Sequence, residues 1–216
     1  MSDRVGACTR LVLVRHGVAR DAAERCIGHT DLPLASDGAS GIHALCAFAS
    51  SVVVGPVRVV SSDLRRAFDS SAIIAATLGV PVAVDTRLRE MNFGEWDGRR
   101  WSELEQADGE RLRRWTDGWL TESPPGGERL SDVRRRAAEW LRDATSATDA
   151  IDQTIIIVSH AGWIRVAITQ LLGRAWDDLF EIPVDHAHAT VIDCRSSHAW
   201  LVAENAGPST QALDAS

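Results

Sequence analysis

The sequence predicts an α/β protein, a three-layer α/β/α sandwich with a mostly parallel central sheet. The first observation is a set of three short apolar runs, at residues 11–14, 57–60 and 155–158, the second of which is interrupted by Arg58. Such runs are typical of strands that are buried on both faces. The second observation is that segments of helical periodicity lie between the runs. Alternating strands and helices form parallel sheets that are covered by helices on both sides.

Each apolar run ends in residues that suit an anion. Arg15 and His16 follow the first run, Arg65 and Arg66 follow the second after a Ser-Ser-Asp-Leu segment, and His160 follows the third. The carboxyl ends of neighbouring parallel strands meet at one edge of a sheet, where open α/β sheets bind ligands. The imidazoles of His16 and His160 would then converge on one pocket with two guanidiniums, that of Arg15 and that of Arg65 or Arg66. Guanidinium groups match phosphate oxygens, so the sequence predicts a phosphoryl-transfer enzyme.

The first half of the chain contains the elements around this pocket. Residues 18–33 lack periodicity and are predicted to form a loop over the pocket. An apolar stripe of helical spacing predicts a helix over residues 36–51. Ser62 or Asp63 is expected to cap the next helix, which would end at a glycine. Residues 82–84 follow a proline and are predicted to be an edge strand.

An insertion at about residues 87–125 is predicted to act as a lid that shapes access to the pocket. It contains Trp96, Trp101, Trp115 and Trp119. The last two are four residues apart and are expected to share one helix face. One interpretation is that these tryptophans pack a small subdomain onto the sheet. The alternative is that some of them line the mouth of the pocket and stack on a flat organic group.

The second half of the chain continues the alternation. After a Pro-Gly turn, an amphipathic helix is predicted from residue 128 to about residue 147, and a helix over 162–172 is expected to stop at a glycine. The remaining strands are predicted at 180–184, 189–194 and 199–203. The whole chain, 1–216, is expected to be one domain with a polar tail that frays after about residue 204.

Composition narrows the function. A chain of 216 residues with 45% hydrophobic content can bury one substantial core. Its formal net charge of −7 argues against a nucleic-acid partner, and no apolar run approaches the ~20 residues of a membrane helix. An acidic chain with a cationic pocket favours a small anionic ligand. The expected partner is a small phosphorylated metabolite, with no nucleic acid and no membrane, and a homodimer is considered beside the monomer.

No cofactor and no metal are predicted. Four cysteines stand far apart without a Cys-x-x-Cys pair, so reduced thiols and a cytoplasmic location are expected. The amino terminus has no apolar segment typical of a secretion signal. His186 and His188 would share one face of a strand, and a His-x-His metal pair is the functional alternative there. The sequence offers no third ligand at suitable spacing.

Several ordered motifs resemble the histidine phosphatase superfamily, the phosphoglycerate-mutase-like proteins, whose signature is an Arg-His-Gly triplet after the first strand. The likeness covers most of the chain and implies the phosphoglycerate-mutase-like fold. The matching segments are Arg15 to Gly17, 28–34, 61–67, 88–90 with 93–98, 125–128 and 159–162.

The resemblance implies roles for the residues at the strand ends. His16 matches the histidine that attacks phosphorus and forms a phosphohistidine, and His160 matches the second histidine, which donates to a phosphoryl oxygen. Arg15 and Arg66 are the guanidiniums placed to bind phosphate. In the family the arginine directly before an alanine is the phosphate ligand, which selects Arg66 and leaves Arg65 as a solvated charge.

A carboxylic acid is also needed, because the leaving alkoxide must take up a proton. Glu90 matches the acid of the family. Glu95 and Asp97 are the competing carboxylates and are interpreted as fixing their own turn. Glu128 follows a double glycine, where contact with substrate and stabilisation of a helix N-terminus are both open interpretations.

The predicted substrate contacts extend beyond the catalytic residues. They are Arg15, Arg66, Gly28, His29, His160 and Ala161. In addition, His188 lies near a position that closes the phosphate pocket in the family.

Hydrolysis is favoured over a mutase reaction. Mutases of the superfamily carry additional basic residues in the insertion, whereas residues 92–105 supply tryptophans and carboxylates. Segments 25–34, 93–101 and 159–165 resemble the α-ribazole phosphatases, which implies α-ribazole 5′-phosphate as substrate and a place in cobalamin assembly. Residues 18–19 depart from the usual acidic-Thr pair after the triplet. A phosphoglycerate-type mutase and a catalytically idle binding protein on the same fold are the alternatives.

Overall fold

A computed structural model describes residues 7–145, 151–196 and 198–210, and it forms one six-stranded sheet between two layers of helices. The strands are β1 (Thr9–Arg15), β2 (Val57–Ser61), β3 (Val82–Val84), β4 (Gln153–Ser159), β5 (Ala189–Arg195) and β6 (His198–Ala206). The helices are α1 (Ser36–Ser51), α2 (Arg65–Leu78), α3 (Trp101–Asp117), α4 (Leu130–Thr145) and α5 (Ala161–Leu172). Short 3₁₀ turns cover Thr86–Leu88, Gly94–Trp96 and Trp176–Glu181.

The three apolar runs are neighbouring parallel strands, as predicted. The strand order is β3-β2-β4-β1-β5-β6, and β4 pairs in parallel with both β1 and β2. The register places Arg15 opposite Ser159 and Ser61 opposite Val158. The carboxyl ends of all three strands therefore meet at one edge of the sheet. β2 and β3 are also parallel, and β5 is the one described strand that runs against its neighbours, β1 and β6, so the sheet is mostly parallel.

Alternating side chains of β1 explain why both faces of the sheet are covered. Leu11 and Leu13 belong to a core that includes α4 and α5, whereas Val12 and Val14 belong to a second core with α1 and α2. Successive residues of a strand point to opposite faces, so one apolar run supplies both cores. The predicted three-layer arrangement is confirmed.

The predicted cap of α2 is wrong. The helix begins after Leu64, and no side-chain cap bond is present there. Ser62 instead contacts the His160 ring through its hydroxyl, and Asp63 forms an ion pair with Arg89. Tertiary partners therefore occupy both of the side chains that local sequence favours as caps.

The strand predicted at 180–184 is also absent, because residues 180 and 181 belong to the 3₁₀ turn Trp176–Glu181 and residues 182–184 are irregular. Leu179 and Ile182 are buried and three residues apart, which is the repeat of a 3₁₀ turn. Both edges of β5 are already paired, with β1 and β6. No sheet edge is left there for a further strand.

The insertion contains α3, and Trp119 lies beyond its end because Gly118 terminates the helix. The prediction that Trp115 and Trp119 share a helix face is therefore wrong. Trp96 belongs to a small core of its own and packs edge-on against Trp115 at 5.8 Å between ring centroids. Packing of a subdomain thus accounts for part of the tryptophan content.

The ends of two predicted elements differ from the structure. β6 continues to Ala206 instead of ending at residue 203, and residues 211–216 of the predicted tail lie outside the described residues. α4 reaches Thr145, and the predicted continuation to residue 147 also lies outside them. None of the helices described is long and apolar enough to cross a membrane.

Truncation of Ile156 should test the double burial of β4. Ile156 is fully buried, so Ile156→Ala should lower the free energy of unfolding by about 2–5 kcal/mol, because it removes buried methyl groups and leaves a cavity. The matched control is Ile151→Ala, since Ile151 is 58% exposed and its truncation should cost less than about 0.5 kcal/mol. Urea unfolding measures both values, and equal midpoints would contradict the assignment.

Candidate functional site

A polar pocket lies at the sheet edge where β1 and β2 end. It combines three arginines and two histidines with one glutamate and several apolar side chains. The lining residues are Arg15, His16, Ala19, Ala22, Arg25, Ile27, Arg66, Glu90, Phe93, Trp101 and His186. The structure thus brings four of the five predicted catalytic residues to one pocket, and the fifth, His160, packs against His16.

His16 follows β1 and is almost fully buried. Its Nδ1 lies 2.6 Å from the carbonyl oxygen of Gly17, so Nδ1 carries the proton and donates it. Nε2 is then unprotonated and accepts a hydrogen bond from Arg66 Nε at 3.2 Å. Burial, followed by the charges of Arg66, His186 and Arg15, lowers the pKa of His16 well below its ordinary value. The ring is neutral, with its Nε2 lone pair beside a cation.

Arg66 is 1% exposed and lies in the first turn of α2. Its two terminal nitrogens donate to the carbonyl oxygens of Thr30 at 2.9 Å and Gly28 at 2.7 Å. The loop over the pocket therefore fixes the plane of the guanidinium. The adjacent Arg65 side chain is exposed, as the sequence predicted.

His160 lies directly before α5 and is fully buried. Its ring packs edge-on against His16, with 4.9 Å between centroids. Nε2 contacts the Ser62 hydroxyl at 3.0 Å, and Nδ1 is buried without a hydrogen-bond partner among the described residues. Burial first, and then the neighbouring His16 and Arg66, lowers the pKa of His160 well below its usual value. When Nε2 accepts from the Ser62 hydroxyl, the single N–H of the neutral ring is on Nδ1, which can donate one further hydrogen bond.

Arg15 is held by the segment that precedes β5. One terminal nitrogen donates to the Val184 carbonyl oxygen at 2.7 Å, and the other donates to His186 Nε2 at 2.9 Å. His186 Nε2 must accept this bond because a guanidinium has no acceptor, so Nδ1 carries the proton and donates to the His16 carbonyl oxygen at 3.0 Å. One imidazole thus joins the Arg15 side chain to the backbone of His16.

Sequence reasoning missed His186 as a pocket residue. It placed His186 and His188 on one strand face and gave the position near the phosphate pocket to His188. In the structure these residues precede β5, and Ala187 between them has a positive φ of 55°, which breaks the strand alternation. His186 lines the pocket, whereas the His188 ring donates from Nδ1 to the His186 carbonyl oxygen at 3.0 Å.

Glu90 is 9% exposed and follows the 3₁₀ turn Thr86–Leu88. Its carboxylate accepts hydrogen bonds from the backbone N–H of Met91 at 2.9 Å and of Gly162 at 3.0 Å. A Cβ atom at position 162 would lie 2.4 Å from Glu90 Oε1. Glycine at the start of α5 therefore lets the carboxylate approach the helix, and both bonds fix its orientation.

Asp97, one of the two competing carboxylates, binds the loop over the pocket instead of its own turn, so the prediction for it is wrong. Asp97 accepts from the backbone N–H of Gly28, His29 and Thr30 and from the Thr30 hydroxyl. Burial alone would raise the pKa of Asp97, but the Thr30 hydroxyl and the three N–H groups together lower it. Glu95 is exposed.

Glu128 also has a structural partner, because it binds Arg136. Arg136 in turn donates to the carbonyl oxygens of Arg87, Arg89 and Glu90. Glu90 is therefore the carboxylate that lines the pocket. Glu128 binds Arg136, and Arg136 holds the backbone of the segment that contains Glu90.

The remaining predicted contacts lie next to the pocket rather than in its lining. The Gly28 carbonyl oxygen accepts from Arg66, and His29 Nε2 lies 2.9 Å from the Glu90 carbonyl oxygen. Ala161 lines a neighbouring apolar cavity. Gly28 and His29 are thus placed to hold the pocket residues in position.

Comparison with known proteins identifies relatives of this chain. A glucosyl-3-phosphoglycerate phosphatase from Mycolicibacterium vanbaalenii is 35% identical over 178 residues, which cover 78% of this chain and 76% of the relative. The adenosylcobalamin/α-ribazole phosphatase of Escherichia coli K12 is 28% identical over 196 residues, which cover 89% of this chain and 93% of that protein.

The fold is shared as well. The crystal structure of the α-ribazole phosphatase from Shigella flexneri matches with a TM-score of 0.82 at 27% identity, and covers 91% of this chain and 96% of that one. This likeness confirms the phosphoglycerate-mutase-like fold expected from the motifs. The family model of the histidine phosphatase superfamily (branch 1) matches residues 11–207. The chain therefore belongs to the histidine phosphatase superfamily.

Proposed function

We propose that this protein hydrolyses phosphate monoesters of small molecules through a phosphohistidine at His16. The observation that carries this proposal is the unprotonated Nε2 of His16, which lies beside the Arg66 guanidinium in the pocket. A phosphate monoester carries about two negative charges near neutral pH. Arg15 and Arg66 offer fixed cations for its oxygens, and His16 offers the nucleophile.

The reaction then takes two steps. His16 Nε2 attacks phosphorus in line, the bond from phosphorus to the ester oxygen breaks, and Glu90 gives its proton to the departing alkoxide. A water molecule next attacks the phosphohistidine, and Glu90 takes up a proton from it. The P–N bond breaks, inorganic phosphate leaves, and His16 is restored. His160 Nδ1, which is buried without a partner among the described residues, donates to a phosphoryl oxygen.

The proposed reaction needs no metal and no cofactor. The charge that develops on the phosphoryl oxygens is met by the guanidiniums of the pocket, so a Lewis acid is not required for this purpose. Within the described ranges, no group of three or more His, Cys, Asp or Glu side chains could hold a metal ion. Cys8, Cys26, Cys46 and Cys194 are buried free thiols, which supports the proposed cytoplasmic location.

Two alcohols are candidates for the ester, because the relatives act on different substrates. We propose α-ribazole 5′-phosphate first, since Phe93 and Trp101 line the pocket and suit an aromatic base. Glucosyl-3-phosphoglycerate is the second candidate. Arg25, which also lines the pocket and donates to the Gly98 carbonyl oxygen, could bind its carboxylate. Parallel assays on both esters discriminate between them.

Trapping the intermediate tests the nucleophile. Brief incubation with ³²P-labelled substrate should give protein-bound label that is stable in base and labile in acid, as expected for phosphohistidine. His16→Ala should abolish the label because it removes the attacking nitrogen. His43→Ala is the matched control, since His43 is exposed on α1. Label of undiminished intensity in His16→Ala would overturn the assignment.

Substitution of Glu90 tests the proton donor. An alkyl phosphate expels a strongly basic alkoxide that needs a proton, whereas a nitrophenyl phosphate expels a stable anion. Glu90→Gln should therefore lose about 10²- to 10⁴-fold in kcat/KM on the alkyl ester and much less on the aryl ester. Glu95→Gln is the control, because Glu95 is exposed. Equal losses on both esters would assign Glu90 a structural role.

Substitution of His186 tests whether it positions Arg15. Gln places an acceptor near the position of Nε2 and can keep the Arg15 bond, whereas Asn places its amide near Nδ1 and cannot. His186→Asn should lower kcat/KM about 10- to 100-fold on alkyl and aryl esters alike, because misplacement of Arg15 affects the common phosphoryl group. His186→Gln should retain more activity. Equal losses in the two variants would contradict the positioning role.

A further inference from the structure

A second cavity adjoins the polar pocket and differs from it in the polarity of its walls. The two cavities share Glu90 and Phe93 as wall residues. Apart from Glu90 and Arg165, the second cavity is lined by apolar and aromatic residues and one glycine. These are Met91, Phe93, Trp115, Trp119, Leu130, Val133, Ala161, Gly162, Val166, Leu179 and Phe180.

We propose that this cavity binds the alcohol part of the substrate and that this part is an aromatic ring system. The inference rests on the proposed phosphatase function and narrows its substrate class. It assigns the aromatic residues of α3, the turn after it and the 3₁₀ turn Trp176–Glu181 to substrate recognition. None of these aromatic residues lines the polar pocket around His16 and Arg66 except Trp101, the first residue of α3.

The position of the acid supports the proposal. A general acid must lie about 2.6–3.2 Å from the oxygen that it protonates. Glu90 lines both cavities, so an ester oxygen that it protonates lies at their boundary. The phosphoryl group is held on the side of His16 and Arg66, and in-line attack places the leaving group on the face of phosphorus away from His16. The carbon side of the ester is therefore directed towards the second cavity.

The aromatic walls support it as well. Trp119 and Phe180 meet edge-on at 4.7 Å between ring centroids, and Phe93 and Trp115 do so at 5.8 Å. Such pairs leave ring faces on which a flat ligand can stack. Phe180 is 54% exposed although it is large and apolar. A ring bound in the cavity would cover this surface.

Two polar groups suggest that the ring carries acceptor atoms. Trp115 Nε1 is buried without a hydrogen-bond partner among the described residues. Arg165 donates from Nε to the Ile182 carbonyl oxygen at 3.0 Å, and its guanidinium carbon lies 5.9 Å from the Phe180 ring centroid. A heterocycle with a ring nitrogen fits this combination. A polyhydroxylated sugar does not, because most of its hydroxyl groups would face apolar walls without a partner.

A pair of esters with leaving groups of similar basicity tests the proposal. Propyl phosphate and 3-phenylpropyl phosphate differ by one phenyl ring, and the wild-type protein should prefer the phenyl ester by about tenfold or more in kcat/KM. 3-Phenyl-1-propanol should also inhibit competitively at lower concentration than propanol. Equal kcat/KM values for the two esters would overturn the proposal. If the protein hydrolysed neither of these esters and did not hydrolyse nitrophenyl phosphate, the phosphatase function would be overturned instead.

Variants then locate the ring. Trp119→Leu should reduce the preference for the phenyl ester to about twofold or less. Phe180→Leu should reduce it as well, and the exposed position of Phe180 lets this variant fold normally. Trp200→Leu is the matched control, because Trp200 lies on β6 outside the cavity and is exposed. An unchanged preference in Trp119→Leu and Phe180→Leu would place the ring elsewhere and overturn the proposal.

Discussion

The contact between Arg66 and His16 is the interaction on which the site depends. A guanidinium that is 1% exposed is costly to bury unless its N–H groups are satisfied. The carbonyl oxygens of Gly28 and Thr30 satisfy two of them, and His16 Nε2 satisfies a third. The Asp97 carboxylate holds the same loop by accepting hydrogen bonds from the backbone N–H groups of Gly28 and Thr30. The Asp97 carboxylate therefore shapes the loop, the loop orients the guanidinium, and the guanidinium donates to His16 Nε2, which keeps this nitrogen unprotonated.

Burial next to cations determines the chemistry of all three imidazoles at the pocket. Burial contributes most to the lowered pKa of His16, His160 and His186, and Arg15 and Arg66 lower each of them further. Each ring is thus neutral, with one nitrogen that donates a hydrogen bond and one that accepts. The guanidiniums of Arg15 and Arg66 are themselves largely buried, and negative charge nearby would stabilise them. A bound phosphate dianion supplies this charge, so binding and activation of the nucleophile follow from the same arrangement.

The sequence predicted those parts of the molecule that depend on local pattern. Buried parallel strands are continuous in apolar character, so β1, β2 and β4 could be recognised, and the convergence of Arg15, His16 and Arg66 followed from their parallel order. Features that depend on distant partners could not be predicted. Asp63 forms an ion pair with Arg89 instead of a cap. His186 reaches the pocket because Ala187 adopts a left-handed conformation, which no residue preference indicates.

In the proposed function, the polar pocket binds the phosphate and the apolar cavity binds the alcohol, and the two are formed by different parts of the fold. The polar pocket is built at strand ends, where the hydrogen bonds of the sheet fix Arg15, His16 and the start of α5. Besides residues of α4 and α5, the apolar cavity is lined by aromatic residues of α3, the segment after it and the 3₁₀ turn Trp176–Glu181, which are not part of the sheet. Side chains in these elements can change without disturbing the strand ends. Glu90 belongs to both cavities, so the residue proposed to protonate the leaving group also marks where the common phosphate chemistry ends and the selection of the alcohol begins.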